Sequence, residues 1–171
     1  MRGRNKFTQR RNKHVINFYS NKNECHIWCE SFLERDYALL LEFDESVQSF
    51  SSQTEYFNVF GKRYTPDFCV LYASGLTEYV EVKHTTFLDD AFFEAHALRQ
   101  HSIYQETRSC LKLFSENEIC VPSLDNLRLL NRYRQLDVKH ILPLLNLKTK
   151  KMKFKSLENA ISRLDGASRA H

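Results

Sequence analysis

Tyr64-Thr65-Pro66-Asp67-Phe68-Cys69-Val70-Leu71-Tyr72, a break at Ala73-Ser74-Gly75, and then Thr77-Glu78-Tyr79-Val80-Glu81-Val82-Lys83 form the stretch that decides the fold of this chain. Both segments are rich in the β-branched and aromatic residues that suit a pleated, half-buried surface, and the small residues between them mark a turn. Side chains alternate across a strand, so Glu81 and Lys83 share one face and Val82 takes the other. The turn decides where Asp67 goes. A two-residue Ser74-Gly75 loop pairs Asp67 with Val82 and turns its carboxylate away. A three-residue Ala73-Ser74-Gly75 loop pairs Asp67 with Glu81 and gathers all three polar groups. Gly75 stands where such loops place a left-handed residue, and joint chemistry of these side chains requires that register or a bulge equivalent to it.

Two carboxylates gathered in this way suit a hard divalent cation, Mg²⁺ with Mn²⁺ able to substitute. Beside a phosphodiester, such a cation polarises the phosphate and lowers the pKa of a bound water. Lys83 is placed to orient or help deprotonate that water and to stabilise the pentavalent phosphate. Pro66 pre-sets the backbone just before Asp67 and suits the start of a strand. A surface hairpin with a cross-strand salt bridge fits the same residues, so the pattern alone leaves both readings open.

Outward from the hairpin, Val15–Tyr19 reads as a short strand. Trp28, Phe32, Leu33, Leu39, Leu40 and Phe43 recur at helical spacing and predict a helix over about 27–43, ending near Asp44. Residues 47–60 read as one or two strands closed by a Gly61-Lys62 turn. A long helix is expected over 89–107, with Asp89 and Asp90 at its positive end, and Cys110–Phe114 reads as a further strand. The order implies an α/β domain, a mixed sheet flanked by helices. Pro122 marks a boundary. Beyond it Leu124, Leu127, Leu130 and Tyr133 share a helical face, 136–147 offers a second helix, and Ser156 is placed to cap a third.

A chain of 171 residues suits one compact domain with a small appendage. We therefore divide it into a basic arm (1–14), a core (15–121) and a small helical C-terminal region with a basic segment (122–171). Charge follows these divisions. Residues 1–23 carry seven basic residues and no acid, residues 24–94 carry fourteen acids against four Lys/Arg, and Lys148, Lys150, Lys151, Lys153 and Lys155 crowd the C-terminal region. An acidic centre between basic flanks suits a metal site between phosphate-gripping arms, and a solvated surface with a basic tail is the bland alternative. No run of about 18 apolar residues is present, so no membrane span is expected. The N-terminus lacks the apolar stretch of a secretory signal, and five scattered cysteines, an odd number, read as reduced thiols. A cytoplasmic location is expected.

An ordered series of motifs then acquires a wider meaning. Glu34-Arg35-Asp36 within 31–44, the strand at 47–50, Gln53, Lys62-Arg63-Tyr64-Thr65-Pro66-Asp67-Phe68 and Glu81-Val82-Lys83 closely resemble the N-terminal domain of the TnsA endonucleases. These are subunits of heteromeric cut-and-paste transposases with the PD-(D/E)xK, restriction-endonuclease-like fold. The segment 119–133 also looks like the one that follows that core, so the likeness spans roughly 15–135. It implies a fourth site member, Glu34, reaching in from the first core helix; periodicity alone reads Glu34 as a solvated helix charge. The implied catalytic set is Glu34, Asp67, Glu81 and Lys83, with Glu34, Asp67, Glu81 and Val82 around the metal. The implied activity is Mg²⁺-dependent nicking of the non-transferred strand at the 5′ ends of a transposon. The implied partners are double-stranded DNA at those ends, a TnsB-like transposase and a TnsC-like ATPase regulator, in a bacterial, nucleoid-associated setting. Two departures stand out: Thr54 follows Gln53 where relatives often have proline, and only about fifty residues follow Pro122, as in the compact form found in some CRISPR-associated transposons. A stand-alone restriction or repair nuclease of the same fold, or a non-catalytic DNA-binding assembly factor, are the alternatives.

Other residues carry weaker signals. Cys25, His26 and Cys29 lack a second Cys/His pair at finger spacing. His84 points to the face opposite Lys83. His96 and His101 read as ordinary helix residues. Arg128, Arg132 and Arg134 suit either phosphate contact or ion pairs along a helix.

Overall fold

The computed structural model describes residues 15–134. The basic arm, the expected helices over 136–147 and 156–164, and the lysine-rich stretch lie outside the described residues. The chain divides into two units, 1–129 and 130–171, and all strands among the described residues lie in the first.

The described residues form a mixed α/β architecture. Strands β1 (Ile16–Ser20) and β2 (Cys25–Cys29) form an antiparallel ribbon, followed by helix α1 (Phe32–Phe43). Strand β3 (Val47–Ser52) then enters the main sheet, and β4 (Phe57–Val59) and β5 (Lys62–Tyr64) make a small hairpin. Next come β6 (Phe68–Tyr72) and β7 (Thr77–Val82), helix α2 (Asp90–Thr107), β8 (Cys110–Phe114) and helix α3 (Val121–Tyr133). The main sheet runs β3-β6-β7-β8, antiparallel except for the β7–β8 pair, which is parallel. A parallel pair needs a crossover, and α2 supplies it.

The sheet is buried on both faces. On one, Tyr37, Ala38 and Leu41 of α1 pack with Phe50, Phe68, Val70, Val80 and Val82. On the other, Ile103 of α2 packs with Phe57, Tyr79 and Leu111. Consecutive residues of β7 therefore feed opposite cores, which is why this strand is apolar on both sides apart from its acids. Leu124 joins the first core, with Ile119 and Leu127 packed against it.

Two expectations need correction. The helix predicted from residue 27 begins at Phe32, because Cys25–Cys29 is a strand that buries Ile27 and Cys29 at period two and leaves Trp28 exposed. Ser31 is the true start: its hydroxyl accepts from the N–H of Glu34, as an N-cap does. The Gly61-Lys62 turn sits one residue earlier, at Phe60-Gly61. Both of these residues have positive φ, as a two-residue hairpin loop between Val59 and Lys62 requires. Among the described residues no helix is long and apolar enough to cross a membrane, and all five cysteines are free.

Candidate functional site

The β6–β7 register is that of the three-residue loop. Phe68 pairs with Val80 and Leu71 with Thr77; extending the ladder one step sets Asp67 opposite Glu81. The turn is closed by Tyr72 N–H donating to the Leu76 carbonyl at 2.9 Å, and Gly75 takes φ +84°. Alternation then puts Asp67, Glu81 and Lys83 on the sheet face covered by α2. Val82 turns its side chain into the α1-side core, so only its main chain can serve the site. Its N–H donates to Asp67 Oδ2 at 2.8 Å.

The Asp67 carboxyl is strongly perturbed. Burial pushes its carboxyl up to about 7, and the neighbouring Glu81 and Glu34 carboxylates push the same way; the Val82 N–H and the Lys83 ammonium only partly offset them. The other three side chains implied by the TnsA likeness, Glu34, Glu81 and Lys83, thus all act on the charge of Asp67. The ammonium of Lys83 lies 5.7 Å from the centroid of the Phe87 ring, and its backbone N–H donates to the Phe114 carbonyl, extending the parallel ladder past Val82.

Glu34 is not a solvated helix charge: it is only 6 % exposed. Its Oε2 accepts from the Glu30 N–H at 2.7 Å and its Oε1 from the Ser31 hydroxyl at 2.9 Å. The reciprocal Ser31–Glu34 exchange is a variant of the capping box and holds the carboxylate at the first turn of α1. From there its charge reaches both Asp67 and the buried thiol of Cys29, which burial first and Glu34 second push up to about 12.

Glu81 is held by residues that spacing did not single out. It accepts from the Tyr64 hydroxyl, and Arg99 Nη1 of α2 lies 3.4 Å from its Oε1. The Arg99 guanidinium also stacks over the Tyr64 ring, 4.6 Å from its centroid. Burial and the Glu81 carboxylate both raise the Tyr64 phenol far above its ordinary range, so it remains a donor. The available signal was helical: Phe92, His96, Arg99 and Ile103 follow i, i+4, i+7 and i+11 spacing and so share one face of α2.

Among the described residues no three His, Cys, Asp or Glu side chains are drawn together as a ready cation cage. The contacts explain this, because Glu34 is engaged at its helix start and Glu81 with Tyr64 and Arg99. Mg²⁺ asks for less than a cage. It keeps several waters and is commonly held by one or two carboxylates together with substrate phosphate. Asp67, opposite Glu81 and beside the main chain of Val82, fits that requirement, and a cation there would counter both the burial and the neighbouring carboxylates that raise Asp67.

The remaining candidates are structural. The His84 ring caps a short 3-10 turn at Thr85–Phe87 through Thr86 and lies 3.4 Å from Glu116. His26 bonds to Asn17 on the exposed face of the β1–β2 ribbon, and Cys25, His26 and Cys29 form no metal group. Arg128 pairs with Asp36 and Asp125 rather than facing solvent alone. Comparison of the chain with protein-family models and with curated proteins found no match.

Proposed function

We propose that this chain is a metal-dependent DNA endonuclease of the restriction-endonuclease-like class, and that it serves as a TnsA-like subunit nicking the non-transferred strand at the 5′ ends of a transposon. The observation that carries the reading is the β6–β7 register, which sets Asp67 opposite Glu81 with Lys83 next on the same face. The order of elements supports it: a helix, three antiparallel strands, a crossover helix and a strand parallel to the third. Asp67, Glu81 and the main chain at Val82 are the groups that would hold Mg²⁺ or Mn²⁺, with Glu34 adding negative charge from the helix start. When bound, the cation supplies Lewis-acid polarisation of the phosphate and a more acidic water.

The chain's own residues do the rest. Arg99 and Tyr64 keep the Glu81 carboxylate in place. Lys83 orients the attacking water and balances the charge that builds on the phosphate oxygens. The N-terminal arm and the C-terminal lysines grip the DNA backbone, which makes binding salt-dependent. A TnsB-like transposase and a TnsC-like regulator are the partners this reading requires.

The test uses the full chain, DNA bearing transposon ends, Mg²⁺, and a TnsB-like transposase. The expected result is 5′-end nicking that Asp67→Ala and Lys83→Ala each abolish while DNA binding by gel shift persists. Normal cutting by Asp67→Ala refutes the site. Equal cutting with and without the TnsB-like protein favours a stand-alone nuclease instead.

A further inference from the structure

His96 sits on α2 one turn before Arg99 and is 6 % exposed, yet neither ring nitrogen has a hydrogen-bond partner among the described residues. A neutral imidazole carries one donor and one acceptor, and leaving both buried without partners is costly. Its ring stacks on Phe92 at 5.6 Å and 15°, an aromatic contact that offsets only part of that cost. An apolar residue would fill the same space without the penalty, so packing alone does not account for an imidazole here.

The surroundings say what it can serve. Arg99, on the same face of α2, reaches Glu81 and covers Tyr64, and its guanidinium lies 6.0 Å from the ring of Phe92, on which His96 stacks. The Glu81 carboxylate is close enough to act on the charge of the His96 ring. Glu81 has four lone-pair sites; the Tyr64 hydroxyl and Arg99 occupy one on each oxygen. Buried water typically bridges such groups with about three hydrogen bonds.

We propose that His96 is a positioning residue for Glu81, acting through a bridging water that completes the set begun by Tyr64 and Arg99. The role rests on the endonuclease reading above. By holding Glu81 toward Asp67, His96 sets how well the carboxylate pair receives a divalent cation.

The test compares His96→Leu with His96→Gln in the full chain, read by Mn²⁺ titration calorimetry, thermal unfolding and DNA nicking. His96→Leu keeps or raises the melting temperature but weakens Mn²⁺ binding about tenfold. It lowers kcat by a similar factor and leaves KM for DNA unchanged. His96→Gln, which can still bond the water, recovers most of both losses. Wild-type Mn²⁺ affinity and kcat in His96→Leu overturn the proposal, and so does a crystal structure with no water bonded to the imidazole. If wild type and Asp67→Ala bind Mn²⁺ equally poorly and neither nicks DNA, the endonuclease reading itself has failed. If Asp67→Ala alone is inactive while His96→Leu matches wild type, only the role of His96 has failed.

Discussion

Asp67→Asn should stabilise the metal-free protein while destroying the activity proposed for it. The folded state lifts the Asp67 carboxyl from 3.8 to about 7, chiefly by burial and then by the Glu81 and Glu34 carboxylates. A raised acid favours the fold while it stays protonated. Its contribution is therefore fully present below about pH 4, is lost as pH rises toward 7, and stays lost above that. Moving the carboxyl from 3.8 to about 7 corresponds to about 4 kcal/mol, at roughly 1.4 kcal/mol for each tenfold change in proton affinity. Asp67 keeps some contact with solvent, which screens its charge, so we discount the figure to about 2 kcal/mol. Asparagine keeps an oxygen for the Val82 N–H and removes the charge. In EDTA at pH 8 the variant should melt about 4–8 °C above wild type, a gap that closes toward pH 4. Saturating Mn²⁺ should reverse the order, since a ligand at a hundred times its Kd adds about 2.7 kcal/mol to the protein that binds it. Differential scanning calorimetry across pH, with and without Mn²⁺, reads both effects. A wild type that is the more stable at pH 8 in EDTA, or a gap that ignores pH, refutes the reasoning.

Two further substitutions test what positions the site. Glu42 is buried and accepts from the Ser20 hydroxyl at 2.6 Å and from the N–H groups of Asn21 and Lys22 at 3.1 Å each, tying the β1–β2 turn to α1. Glu42→Ala strands those donors and should cost about 2–3 kcal/mol in urea unfolding; a loss below about 1 kcal/mol would show that the turn finds other acceptors. Gly75→Ala meets no atom within 4 Å, so its cost is the left-handed backbone alone, roughly 1 kcal/mol. The β6–β7 register and Mn²⁺ affinity should survive that change, and a large loss of affinity would mean that the turn does more than set the register.

The hairpin was legible because a short stretch contains its own geometry. Gly75 selects the loop, the loop selects the register, and the register selects the neighbours of Asp67. The β1–β2 ribbon was not, because Trp28 falls at the right interval before Phe32 to extend a helical stripe. Nothing local says that Trp28 lies on the exposed side of a strand; the burial of Ile27 and Cys29 on the other side is a tertiary fact. The support of Glu81 was hidden for the same reason. Tyr64 and Arg99 stand 17 and 18 residues from Glu81 in the chain, and only the packing of α2 on the sheet brings them together.

Glu34 shows how two local rules can hold one side chain for different ends. Ser31-Phe32-Leu33-Glu34 has the spacing of a capping box, a signal for a helix start that also predicts a carboxylate turned back along the chain rather than out to water. The TnsA likeness, by contrast, implies a carboxylate turned toward the metal. The bonds from Glu30 and Ser31 hold the Glu34 carboxylate where its charge acts on Asp67. A side chain tied this way is poorly free to swing onto a cation, yet it strengthens the negative field at Asp67 without moving. Reading Glu34 as a cap accounts for its burial, and reading it as a site residue accounts for its effect on Asp67. Neither account is complete alone, since the helix start fixes the distance over which the charge acts.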